Sequence, residues 1–413
     1  MDESKRNVMK NKVINLIDEL SEYGKTENDG VTRTLFSDIW METQSFLESD
    51  LTKKGFTTMF DEVGNLYGTV RGTQDTDETI MIGSHIDTVV NGGKLDGQLG
   101  IVAGIVAIEE LIEEFGLPKK NLEVVSMAEE EGSRFPFTFW GSKNIVGRVA
   151  EEEVKGLVDQ DGVSFIEAMT DKGFGFRNNN SLARSDIKAY IELHIEQGGV
   201  LEKEEKSIGL VNGIVGQKRF LIEIDGEANH AGTTPMGYRK DSLHGASKMI
   251  DSIIELGKEF GDPLVVTIGR LDVTPNTSNV VPGKVIFSVD TRHTNNEIVN
   301  EFISKFSELI ESISRDMDLN TKVNQYMDGY PVPMDEQLIT HMEKICISKG
   351  MDYKIMHSGA GHDAQIFAPK VPTALIFVPS RKGISHSYLE FTNPDDYMSG
   401  VELLKELLYE IAY

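Results

Sequence analysis

Five short stretches gather the side chains able to hold a metal ion or move a proton. Gly83-Ser-His-Ile-Asp87 closes an apolar run, and strand periodicity puts His85 and Asp87 on one face. A carboxylate beside a histidine orients the ring and raises its basicity as a ligand. Leu95-Asp-Gly97 places Asp96 in a glycine-rich loop. Ala128-Glu-Glu-Glu-Gly-Ser-Arg134 supplies an acidic triplet, and Glu192-Leu-His-Ile-Glu-Gln197 puts Glu192, His194 and Glu196 on one strand face. Gly383-Ile-Ser-His-Ser387 adds His386 in a loop. Oxygen and imidazole ligands without cysteine suit a catalytic, two-metal hydrolytic centre rather than a structural zinc site. Taken singly each has a plainer reading: His85 as a core histidine, Asp96 as a helix cap, the triplet as a solvated face.

The elements that must deliver these groups alternate. Glu78–His85, Leu122–Met127, Ala189–Ile195 and Thr373–Val378 read as buried strands, and Gly100–Phe115 as an amphipathic helix. Continuous apolar strands separated by helices predict an α/β sheet covered on both faces, with ligands at the carboxyl ends of its strands. From Gln217 the rhythm changes. Strands at Phe220–Asp225, Leu264–Val273, Lys284–Thr291 and Thr321–Met327, with helices at Asp241–Phe260 and Asn296–Ile313, predict the ferredoxin-like βαββαβ order. Tyr330-Pro-Val-Pro-Met334 marks the exit, after which Glu336–Lys349 and Pro394–Ile411 read as helices. The expected organisation is a discontinuous α/β domain, residues 1–212 and 331–413, interrupted by an α+β domain over 213–330.

Composition narrows the partners. With 41 basic and 67 acidic residues the 413-residue chain carries −26, a field that repels nucleic acid and anionic membranes. An anionic small substrate would need local positive charge. One cysteine, Cys346, forms no intramolecular disulfide, and no apolar run approaches a membrane span, so a soluble, cytoplasmic protein is expected.

Six blocks then carry a family resemblance: Gly83-Ser-His-Ile-Asp-Thr-Val-Val-Asn-Gly-Gly93, Ala128-Glu-Glu-Glu-Gly-Ser-Arg-Phe135, Glu192-Leu-His-Ile-Glu-Gln-Gly198, Asn229-His-Ala-Gly-Thr-Thr-Pro-Met-Gly237, Asn279-Val-Val-Pro-Gly283 and His357-Ser-Gly-Ala-Gly-His-Asp-Ala364. They run nearly end to end, and the chain resembles the dinuclear metal-dependent amidohydrolases related to aminoacylases and carboxypeptidases, with N-carbamoyl-L-amino acid hydrolases as near relatives. The resemblance implies a di-metal peptidase-like catalytic domain with a mixed, mostly parallel sheet, and an inserted lid that also forms a homodimer. It implies two divalent ions per subunit, manganese or zinc, with cobalt or nickel able to substitute. Asp96 would bridge them, His85 and His194 completing one site, Glu131 and His386 the other, with Asp87 behind His85.

By the same resemblance Glu130 is the general base, and His230 of the second subunit donates to the oxyanion. Arg292 would take a carboxylate, Gln217 and Asn279 a ureido group, with Gln197 and Gly361 beside them. Histidine at position 194, where the wider family often has a carboxylate, points away from peptidase activity. The implied reaction is hydrolysis of a linear ureido amide bond, allantoate first among substrates, with N-carbamoyl-L-amino acids as the alternative and an inactive ligand-binding homologue as the reading from another class. Two other motifs fail: Gly359–Ala364 lacks the later acid of a dinucleotide fingerprint, and no G-x-S-x-G elbow is present. Glu130 and Glu131, as neighbours, serve one centre only if the chain turns there, which Gly132 permits.

Overall fold

The computed structural model describes residues 3–74, 77–149, 151–177 and 184–413. The chain divides into two compact units, residues 1–212 with 333–413, and residues 213–332.

In the first unit the strands lie in the order 57–60, 66–70, 121–127, 79–85, 187–195, 373–378, 208–214, and Tyr353–Ser358 also pairs with Ile208–Ile214. The four central strands, Asn121–Met127, Thr79–His85, Ile187–Ile195 and Thr373–Val378, run parallel. Their flanking partners are antiparallel. The sheet is therefore mixed with a parallel centre, as buried Val- and Ile-rich runs require. The parallel strands end on one edge, which brings His85, the Glu129–Glu131 segment, His194 and the 380–386 loop to the same place.

Helix Gln98–Phe115 packs on the parallel centre, and helices Glu3–Ser21 and Pro394–Ala412 pack on it in turn. Their apolar faces join the main core, where Trp40, Ile82, Ile105, Val124, Ile191 and Leu404 are buried. Among the described residues no helix is long and apolar enough to cross a membrane.

The second unit is an antiparallel sheet in the order 271–274, 284–293, 216–225, 320–328, with Val265–Thr267 also on strand Lys284–His293. Helices Ser242–Phe260 and Asn296–Asp316 cover one face, started by the Asp241 and Asn295 side chains, which accept the first free backbone N–H groups. Strict alternation on both long strands sends Phe220, Ile222, Ile224, Val285, Phe287 and Val289 into a core with Met249, Phe302 and Phe306. Chain order and sheet order together are those of a ferredoxin-like βαββαβ unit.

One expected strand is split. Leu264–Val273 becomes Val265–Thr267 and Leu271–Thr274, both on the same neighbour. Asp290 faces Thr267 while Phe287 faces Leu271, so the pairing offset moves by one residue across Ile268-Gly269-Arg270, a β-bulge.

Candidate metal centre

His85 is the last residue of its strand, and Asp87 lies just past it. The His85 ring Nδ1 lies 3.0 Å from the Asp87 backbone oxygen and 3.3 Å from Asp87 Oδ1, which directs Nε2 toward Asp96 Oδ1 at 3.6 Å. His194 repeats the device: Nδ1 is 2.9 Å from the Ile195 carbonyl, and Nε2 is 3.2 Å from Asp96 Oδ1 and accepts the Gly97 N–H. A ring whose Nδ1 hydrogen is given to a carbonyl keeps a lone pair on Nε2, the form in which imidazole ligates metal.

Asp96 is not a helix cap. Helix Gln98–Phe115 begins at Gly97 with no side-chain cap, and Gly97 holds φ +66 in a place where a Cβ would come within 2.5 Å of the His85 ring. Only glycine brings the Asp96 loop so close under the histidine. The other Asp96 oxygen, Oδ2, lies 3.4 Å from His386 Nε2 and accepts from Gln197 Nε2 and Ser385 Oγ at 3.1 and 3.0 Å.

The strand carrying the acidic triplet ends at Met127, and Gly132 has φ +67. In this turned segment the N–H groups of Glu130 and Glu131 both donate to the buried Asp87 carboxylate. Four overlapping groups have ligand atoms within 4.8 Å of one another: His85, Asp96 and His194; Asp96, Glu131 and His386; His85, Glu130 and Glu131; and Glu192, His194 and His362. Asp96 belongs to two of them, one oxygen toward each.

So much carboxylate in little water shifts the acids apart. Burial, with Glu131, Asp363 and Asp87 close by, drives Glu130 well above the ordinary carboxylate range. Burial, with Asp96 and Asp87 adding to it, pushes Glu131 up to about 8. Burial also opposes ionisation of Asp96, but the His194 and His85 rings that face it prevail and hold it well below the ordinary carboxylate range. Glu131 Oε1 is buried without a hydrogen-bond partner. An orphaned buried carboxylate oxygen among ring nitrogens bearing lone pairs is a donor set that a divalent cation satisfies.

Two residues weighed with His194 do other work. Glu192 accepts from Ser84 Oγ at 2.7 Å and the Ala364 N–H at 2.9 Å, tying neighbouring segments together. Glu196 accepts the Val200 and Leu201 N–H groups at the start of a short helix. A Cβ at Gly361 would come within 3.1 Å of the Phe139 ring and 3.5 Å of the Gln365 side chain. Sequence reasoning gave no role to His362, whose ring meets that of His194 edge-on at 4.6 Å. Burial holds it well below the usual histidine range, so it packs as a neutral ring. Sequence reasoning also gave no role to Ser385, whose one signal was its place next to His386, or to Glu390, which carried none.

Within residues 213–332 the remaining candidates form two groups. Arg292 faces Gln217 across the sheet, and Asp290 binds both: Gln217 Nε2 at 2.7 Å, Arg292 Nε at 3.1 Å, and Arg219 Nε at 2.8 Å. His230 pairs with Val280, next to Asn279, whose carbonyl accepts the Ala231 N–H. The His230 ring accepts at Nδ1 from Gly232 and Thr233, so its hydrogen sits on Nε2.

Against known proteins, residues 81–410 match the model of peptidase family M20/M25/M40. The chain is 48% identical over 394 residues to allantoate amidohydrolase of Escherichia coli (strain K12), covering 95% of this chain and 96% of that one. It is 43% identical to allantoate amidohydrolase of Bacillus subtilis (strain 168), covering 98% of each. Among solved structures, an amidase of the hydantoinase/carbamoylase family from Burkholderia multivorans superposes with a TM-score of 0.91 at 30% identity, covering 97% of each chain.

Proposed function

This chain belongs to peptidase family M20/M25/M40, and on that premise we propose that it hydrolyses allantoate at one ureido C–N bond, giving ureidoglycine, ammonia and carbon dioxide. The observation that carries the reading is Asp96, shared by two ligand groups at the ends of parallel strands, in a chain nearly half identical along its length to relatives of that name.

His85, His194 and Asp96 would hold one divalent ion and Asp96, Glu131 and His386 a second, manganese or zinc. Bound there, such ions act as Lewis acids and lower the pKa of water. The chain's own groups do the rest. Asp87 fixes the His85 ring and, through two N–H bonds, the segment bearing Glu130 and Glu131. Glu130 takes a proton from the attacking water and returns it to the departing nitrogen; burial raises its pKa toward the working pH, as an acid–base catalyst needs. The C–N bond breaks, ammonia leaves, and the carbamate left on the other nitrogen loses carbon dioxide.

The inserted unit serves as lid and dimerisation domain. Arg292 binds the substrate carboxylate, Gln217 and Asn279 its ureido groups, with Gln197 and Gly361 contributing from the catalytic unit. His230, presenting Nε2–H, stabilises the oxyanion from the second protomer of a homodimer. Arg292 and Arg219, with Asp290 balancing one of their two charges, supply the local positive charge that an anionic substrate needs in so acidic a protein. A cytoplasmic location suits this chemistry.

N-carbamoyl-L-amino acid hydrolysis is the second reading, favoured by the likeness to a hydantoinase/carbamoylase-family amidase. Ammonia release from metal-stripped, manganese-reloaded protein decides between them. A kcat/KM about a hundredfold higher for allantoate, roughly 2.7 kcal/mol, supports the first. Preference for a carbamoyl amino acid overturns the substrate, and no turnover with metal bound overturns the enzyme.

A further inference from the structure

Two loops that carry proposed ligands have no peptide connection within 280 residues, yet one side chain spans them. Glu390 lies four residues past His386, in a loop closed on itself by the Arg381 N–H to the Phe391 carbonyl. Its Oε1 accepts the backbone N–H groups of Leu95 and Asp96 at 2.9 and 3.1 Å. Its Oε2 accepts from Ser385 Oγ at 3.0 Å, the residue immediately before His386. Gly93 completes the fit: a Cβ there would come within 2.0 Å of Glu390 Oε1, so the Asp96 loop is shaped around this carboxylate.

Ser385 has one hydroxyl hydrogen and two carboxylate acceptors in reach, Asp96 Oδ2 and Glu390 Oε2, each at 3.0 Å. When a cation takes the Asp96 oxygen, that hydrogen has Glu390 to turn to. The clamp thus holds the Asp96 backbone and the residue next to His386 whichever way the serine points.

We propose that Glu390 is a positioning residue that clamps the Asp96 loop to the His386 loop, so that both ligands reach the same cation. This rests on the reading of Asp96 and His386 as ligands. The clamp works through reach and hydrogen-bond acceptance rather than through charge, and three variants of the full chain separate these. Glu390→Gln keeps the length and an acceptor. Glu390→Asp keeps the charge but falls short by a methylene. Glu390→Ala keeps neither.

Manganese affinity measured by titration calorimetry, with the visible spectrum of the cobalt-loaded protein, should leave Glu390→Gln within about threefold of wild type. Glu390→Asp and Glu390→Ala should lose roughly ten- to a hundredfold, the usual effect of removing a group that orients a ligand. Hydrogen exchange by mass spectrometry should speed up across residues 93–97 in both, with strand Thr79–His85 unchanged. The inference is overturned if Glu390→Asp matches wild type while Glu390→Gln weakens, or if all three bind alike. Should Glu390→Ala not fold, the Gln and Asp variants carry the test. Should wild type bind no divalent ion, the ligand reading fails on its own, and exchange at 93–97 still tells whether the clamp exists.

Discussion

The two units handle charge in opposite ways. In the first, His85, Asp96 and His194 lie buried where parallel strands end, the two rings fixed by backbone carbonyls. In the second, Gln217, Arg219, Asp290 and Arg292 stand on an open sheet face and hold one another through side chains. A buried cluster gains strength from low dielectric but needs a cation to balance it. A half-buried one keeps part of its hydration and exchanges partners more cheaply, which suits groups that must receive and release a ligand. On the proposed reading, chemistry falls to the buried cluster and selection to the half-buried one.

The strongest way to break this contrast is to remove its centre. Asp96→Ala should lose bound metal, seen by elemental analysis of dialysed protein, and turnover should fall to background; retained metal would displace Asp96 from the centre. Glu130→Gln should keep its metal while kcat drops roughly a hundred- to ten-thousandfold, the range for an acid–base group. Unchanged turnover would take Glu130 out of the mechanism.

In the open unit the losses should be of affinity. Arg292→Lys should raise KM about ten- to a hundredfold with kcat less affected, because a lysine cannot reproduce the planar fork. A loss confined to kcat would move Arg292 from selection into chemistry. Asp290 sharpens the same point through pH. Burial opposes its ionisation, but Arg292, Arg219 and Gln217 outweigh it and keep its pKa low. A carboxylate depressed on folding stabilises above its unfolded pKa, and that stability is lost as pH falls through the folded one. Asp290→Asn should therefore melt below wild type at neutral pH, with the gap closing under about pH 4. The smallest effect is expected at Cys346, where burial pushes the thiol up to about 12. A thiol reagent at pH 8 should label it only after unfolding, and Cys346→Ala should leave kcat unchanged.

The convergence of His85, Asp96 and His194 was legible because burial and chemistry select the same few residue types: an apolar run closing on His85 or His194 has few uses for the imidazole. The acidic triplet was legible only in part, since the turn at Gly132 that lets Glu130 and Glu131 share a centre depends on Asp87 gathering their N–H groups. Glu192 and Glu196 show the limit of face logic. Both sit two residues from His194, but Ser84 Oγ and the Ala364 N–H hold Glu192, and the Val200 and Leu201 N–H groups hold Glu196. Glu390 was not legible at all, because Tyr-Leu-Glu-Phe reads as an ordinary loop until the chain has returned to Leu95. The bulge at Ile268–Arg270 escaped for a related reason: apolar alternation sets which face is buried, not the offset to a neighbouring strand.

Strand Thr373–Val378 lies between Ile187–Ile195, its parallel neighbour, and Ile208–Ile214, its antiparallel one. During synthesis the ribosome therefore makes both sides of a slot long before the piece that fills it. The five-stranded sheet of residues 216–328 is made wholly from that stretch and can fold at once on emergence, while the earlier half-sheet waits with its central edges open. The chain should thus mature from the middle outward. Stalled or truncated products that stop before residue 373 would leave one edge open on each of two inner strands, the kind of edge that invites aggregation or chaperone capture.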